Sequence, residues 1–156
     1  MTFDEADALN EAIRAIGIRH RAMAMAALAP LGIHPGHKLL LLELERAGPS
    51  TQAQLAAASG YEPPTITASL RQLETAELVA RRPSPADARA TIVELTAKGR
   101  ALMPKLKVAW RRVAEQAVAT VTTPLEQLTA VLEELASGLA AHELPALDRP
   151  RYVRRG

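Results

Sequence analysis

The side chains with usable chemistry in this chain are mostly cations and hydroxyls, and they gather in one stretch. Arg71 follows Thr65, Thr67 and Ala68, and Arg82 and Arg89 bracket the proline-stiffened run "RPSPADAR". A guanidinium forks onto a phosphate or a purine edge, and a threonine serves a phosphate, a base edge or a thymine methyl. From Glu62 to Arg112 there are ten Lys or Arg against five Asp or Glu, whereas Thr123 to Asp148 carries five acids and no Lys or Arg. A basic middle beside an acidic end suits one face made for a polyanion, although a solvated helix face carries such charge as well.

Catalytic chemistry finds no matching pattern. The 156 residues contain no nucleophile elbow, phosphate loop or metal-hydrolase spacing, so the expectation is not an enzyme and no cofactor. There is no Cys, which excludes disulfides, thiolate metal sites and thiol redox sensing. His34 and His37 stand three apart near a helix start. They read as structural or solvated, or as two ligands of a metal site with no evident third, and no metal is expected. No apolar run reaches the roughly 18 residues of a membrane span. The acidic start (Asp4, Glu5, Asp7) does not read as a signal peptide, so the expected location is the cytoplasm.

These side chains need a scaffold. Apolar residues make up 48% and aromatics only 3%, so the core must be Leu, Ala, Val and Ile, which favours helices. Spacings of three and four over Leu9, Ile13, Ile16, His20, Met23 and Ala27 predict a helix over residues 4–29. A second helix follows Pro35 and closes at Gly48. Thr51 and Gln54 have capping-box spacing and start a short helix that stops at Gly60. "PPTITASLRQLETAEL" is the next helix, with Ile66, Leu70 and Leu73 inside and Thr65, Ala68, Arg71, Gln72 and Thr75 outside. Two helices joined by a tight turn, the second with a small polar outer face, form a helix-turn-helix, or else an ordinary helical hairpin.

"LVARR" (78–82) and "ATIVEL" (90–95) read as strands of a hairpin, a wing. Arg89 near its tip suits a minor groove, Arg82 a phosphate, and Asp87 the bracing of the turn. Thr96 caps a further helix, in which Pro104 should bend the axis or end the first turn. Thr123, Pro124 and Glu126 read as N-cap, N1 and N3 of a last helix, whose Leu125, Leu128, Leu132, Leu135 and Leu139 form an apolar seam.

The order of these pieces resembles the multiple-antibiotic-resistance regulator (MarR) family of winged-helix transcription factors. The matching residues are "TQAQLA", "TIT…LRQLE", "LVARR", Asp87 and Arg89 as D-x-R, and "LTAKGR" at 95–100. Ala88 stands where the family's wing often has Arg, Ala68 where its recognition helix often has Arg, and Pro63-Pro64 is an unusual helix start.

The resemblance implies a mainly α fold with a small β-wing, a winged helix-turn-helix flanked by N- and C-terminal dimerisation helices. The expected division is 1–34 and 101–145 for dimerisation, 35–100 for DNA binding, and a basic tail over 146–156. It also implies a homodimer on double-stranded DNA with a palindromic operator, repression by blocking a promoter, and relief by a small aromatic or phenolic ligand.

The DNA-contact set is then Thr51, Gln52, Pro64, Thr65, Thr67, Ala68, Arg71, Arg82 and Arg89. His20, Met23 and Trp110 are candidates for the effector pocket, each with an alternative reading as core or interface. Two other functions stay open: a metal-responsive regulator of the same fold, and a winged-helix module that binds protein without an effector.

Overall fold

The structure, a computed structural model, describes residues 1–84 and 91–141. Its helices begin where local chemistry lets them begin. Thr2 caps α1 (Phe3–Leu28) in a capping box with Glu5. A 3-10 turn, Ala29–Leu31, leads to α2 (Pro35–Ala47), which starts on a proline that lacks the N–H a first turn cannot satisfy. Thr51 caps α3 (Gln52–Ser59) in the expected box with Gln54, and Gly60 ends it at φ 67°, a left-handed angle that glycine adopts without a Cβ penalty. Helix α4 (Pro63–Thr75) and α5 (Ala97–Ala117) follow, the latter capped by Thr96.

Residues 1–119 form one compact unit. Its core is a single cluster that includes Leu28, Leu40, Leu41, Leu44, Leu55, Ile66, Leu70, Leu73, Val93 and Leu106. The apolar stripe of α1 is only half used. Ala24 and Leu28 are buried, while Leu9 is 49% exposed and Ile16 55%. Pro104 lies inside α5 and not at its first turn.

The small sheet has three antiparallel strands in the order β1-β3-β2. Strands β2 (Val79–Pro83) and β3 (Thr91–Leu95) pair with Arg82 opposite Ile92 and Ala80 opposite Glu94. Strand β1 (Ser50–Thr51) pairs Ser50 with Val93 and was not foreseen, being two residues of the turn before α3. The hairpin tip, with Asp87 and Arg89, lies outside the described residues, as does the chain from 142 on, including the basic tail.

The second unit begins at residue 120, and its described part holds α6 (Leu125–Ala141). It starts one residue later than expected: the Pro124 carbonyl accepts from the Leu128 N–H, so Pro124 takes the capping position. None of its residues is buried.

The wing is locked to α5 by the segment "LTAKG". The Thr96 hydroxyl donates to the Glu77 carbonyl (2.6 Å) and accepts from the Gly99 N–H (2.9 Å), and the Thr96 N–H donates to the Leu78 carbonyl (3.1 Å). A Cβ on Gly99 would sit 2.1 Å from the Leu78 carbonyl oxygen, so this crossing admits only glycine.

Candidate nucleic-acid interface

Helix α4 buries Ile66, Ser69, Leu70 and Leu73 and turns Pro64, Thr65, Ala68, Arg71, Gln72 and Thr75 outward. The exposed face is small near its start and carries one cation, Arg71, two turns in. That is the shape a helix backbone needs to enter a major groove.

Not every residue expected on this face is free to read DNA. Gln52, the first residue of α3, donates its amide to the Thr67 hydroxyl (2.6 Å), and Thr67 donates to the Pro63 carbonyl (2.9 Å). Thr51 is spent on its cap: its hydroxyl accepts from the Gln54 N–H (3.2 Å). Gln72 is exposed but engaged. Its Oε1 lies 2.9 Å from His37 Nε2 and 3.3 Å from His34 Nε2, so α4 is tied to the start of α2. The two imidazoles stack with centroids 3.5 Å apart. His37 is buried, and its Nδ1 has no hydrogen-bond partner. Burial, and then the neighbouring His34, push its pKa below the ordinary value, against the raising bond to Gln72. Among the described residues no three His, Cys, Asp or Glu converge as metal ligands.

On the sheet, Arg82 Nε pairs with Glu94 Oε2 at 3.1 Å, which offsets the charge expected to meet a phosphate. Arg81 lies 2.9 Å from Glu74 as an ion pair without hydrogen-bond alignment, and so ties β2 back to α4. Sequence reasoning missed both pairs, because their partners are distant in sequence or across the sheet.

Two of the three pocket candidates are in ring contact. His20 meets Trp110 edge-on at 5.7 Å, and the Lys38 ammonium sits 3.9 Å above the indole. Met23 lines a groove with Pro30, Ala109 and Arg112. Another hollow, of about 380 Å³, is lined by Arg21, Met25, His34, Tyr61, Thr65 and Ser69, and so touches both α1 and α4.

A helix-turn-helix followed by a β-hairpin, with an outward face shaped for a groove, defines the class of winged-helix DNA-binding proteins. The comparisons agree. Residues 31–90 match the MarR family. The chain is 32% identical over 123 residues to an HTH-type transcriptional repressor of Mycobacterium tuberculosis, covering 78% of this chain and 88% of that protein. It therefore belongs to the MarR family. Its fold is similar to that of a mutant MarR from E. coli complexed with operator DNA (TM-score 0.74, 22% identity, 89% of this chain and 98% of that one). It is also similar to BpsR of Bordetella bronchiseptica, described with the regulation of its DNA binding by 6-hydroxynicotinic acid (TM-score 0.71, 19% identity, 84% and 98%). Among the described residues no helix is long and apolar enough to cross a membrane.

Proposed function

We propose that this regulator is a homodimeric repressor that places α4 of each protomer in the major groove of a palindromic operator and is released by a small ligand. The observation that carries the reading is the exposed face of α4, where Pro64, Thr65, Ala68 and Arg71 offer small side chains and one guanidinium. Thr65 and Ala68 suit thymine methyls, and Arg71 a guanine edge or a phosphate. Arg89, which lies outside the described residues, is the cation assigned from the sequence to the minor groove. Arg82 must leave Glu94 before it can serve a phosphate fully.

Two exposed apolar surfaces support the dimer. Leu9, Ile16 and Ile18 on α1, and Leu125, Val131, Leu132 and Leu139 on α6, are each more than 40% exposed in the single chain. So much uncovered apolar area on two helices calls for a partner, and a two-fold dimer presents two recognition helices about one turn of DNA apart. The dimerisation regions are then 1–34 and 101–145, around a reading domain over 35–100.

The hollow between α1 and α4 supports effector control. An occupant held by Arg21, His34 and Tyr61 would press on Thr65 and Ser69 of the recognition helix. The chemistry fits a small aromatic carrying a phenol or a carboxylate, and the BpsR comparison supports a ligand of this kind. The reading is tested by fluorescence anisotropy with a duplex selected from a random pool, across a salt series. Binding well above that to scrambled duplex, with a steep fall in salt, is expected. Equal binding to both would overturn it.

A further inference from the structure

The recognition helix, like α2, starts without a side-chain cap, and it opens on two prolines where α2 opens on one. Helices α1, α3 and α5 each begin on a threonine whose side chain takes up a first-turn N–H. Helix α4 begins on Glu62, which makes no side-chain capping bond, and its first two residues are prolines. Pro63 and Pro64 have no N–H to cap, so Thr65 is the first residue able to donate. Its N–H stands where the caps of α1, α3 and α5 act, but the Glu62 side chain does not take it up.

Something else holds this turn. Gln52 Nε2 lies 2.6 Å from Thr67 Oγ1, and Thr67 Oγ1 lies 2.9 Å from the Pro63 carbonyl oxygen. The direction of the relay follows from its end. The Pro63 carbonyl can only accept, so the Thr67 proton goes there. Thr67 must therefore accept from its other neighbour, and Gln52 must turn its NH2 group toward it. The relay thus runs from α3, through a side chain of α4, to the carbonyl of the first residue of α4. It ties the two helices together where α4 would enter the groove.

We infer that Gln52 and Thr67 are positioning residues for sequence recognition: they set the rotation and depth of the first turns of α4, and do not themselves read bases. This rests on the DNA-reading role of α4 proposed above. While the relay holds, Thr67 has no proton left for a base or a phosphate. Thr65, Ala68 and Arg71, on the adjoining face, depend on the helix being held at one rotation. A small rotation about its axis would carry Ala68 away from a thymine methyl and swing Arg71 off its base or phosphate.

The test uses the full chain, a duplex selected by the wild type from a random pool, and a scrambled duplex. Q52A and T67V should each weaken binding to the selected duplex about three- to tenfold, the worth of one neutral hydrogen bond. Binding to scrambled duplex and the salt slope should not change. Q52A/T67V should cost no more than either single change, because the relay acts as one unit. T67S keeps the hydroxyl and should bind like wild type.

Additive losses, or equal losses on both duplexes, would overturn the inference in favour of separate DNA contacts. The brace is also read in the free protein, through the Gln52 side-chain amide resonances. T67V should shift them and T67S should not; resonances unmoved by T67V would overturn the brace whether or not DNA is bound. A wild type that selects no duplex would instead overturn the DNA-reading role, leaving the amide measurement to decide the brace.

Discussion

His37 is a buried imidazole with one nitrogen on Gln72 and the other without a partner. Its pKa is depressed, so the neutral ring is the folded form, and the unfolded chain takes up a proton first as pH falls. Its contribution to stability is therefore complete above about pH 6.5, the ordinary imidazole value, and is lost as pH drops toward the depressed folded value. The charges around it give little relief: Arg21 lines the hollow beside His34, Lys38 is its neighbour on α2 and stacks on Trp110, and α4 offers the neutral Gln72. Thermal melts between pH 5 and 8 should show the midpoint falling on the acid side. H37Q should flatten that dependence; an unchanged profile would remove His37 as its source. Arg82 gives a second prediction. Replacing Glu94 by Gln leaves Arg82 unpaired, which should raise affinity for any duplex and steepen the logarithmic salt slope by about one unit. An unchanged slope would mean that Arg82 stays clear of phosphate.

The wing and α5 depend on a crossing that tolerates no side chain. Gly99→Ala places a methyl against the Leu78 carbonyl, a backbone atom that cannot swing away, and should destabilise the fold by about 3 kcal/mol, the upper end of overpacking costs. Thr96→Ala removes both the cap of α5 and the bond to the Glu77 carbonyl, and should cost about 1–2 kcal/mol. Denaturant unfolding of both variants checks the order. If Thr96→Ala proved the worse of the two, the cap and not the close approach would hold the wing. These two residues account physically for the "LTAKG" segment. Its threonine is a two-way clasp and its glycine a clearance.

The assembled regulator is proposed to need a second copy. A lysine at position 132 puts a charge on the exposed apolar seam of α6, and should leave a monomer in sedimentation and abolish tight operator binding. A monomer that still bound operator tightly would end the dimer reading. Most of the fold was legible because its signals are short-ranged. The Thr51–Gln54 box, the Thr96 cap, Gly60 and the i, i+3, i+4 stripes all act within a turn or two of chain. Strand β1 was not legible, since two residues show no periodicity and become a strand only when Val93 arrives to pair with Ser50. The outer face of α4 was legible as a set of residue types, but not as a set of free side chains. Gln52 and Thr67 are 15 residues apart, and His37 and Gln72 are 35 apart. A hydrogen bond forms between whichever groups packing brings within about 3 Å. Helix starts, stops and buried stripes follow from neighbouring residues, so they could be read along the chain. Which polar groups satisfy one another, and which remain free to meet DNA, was settled by packing between helices.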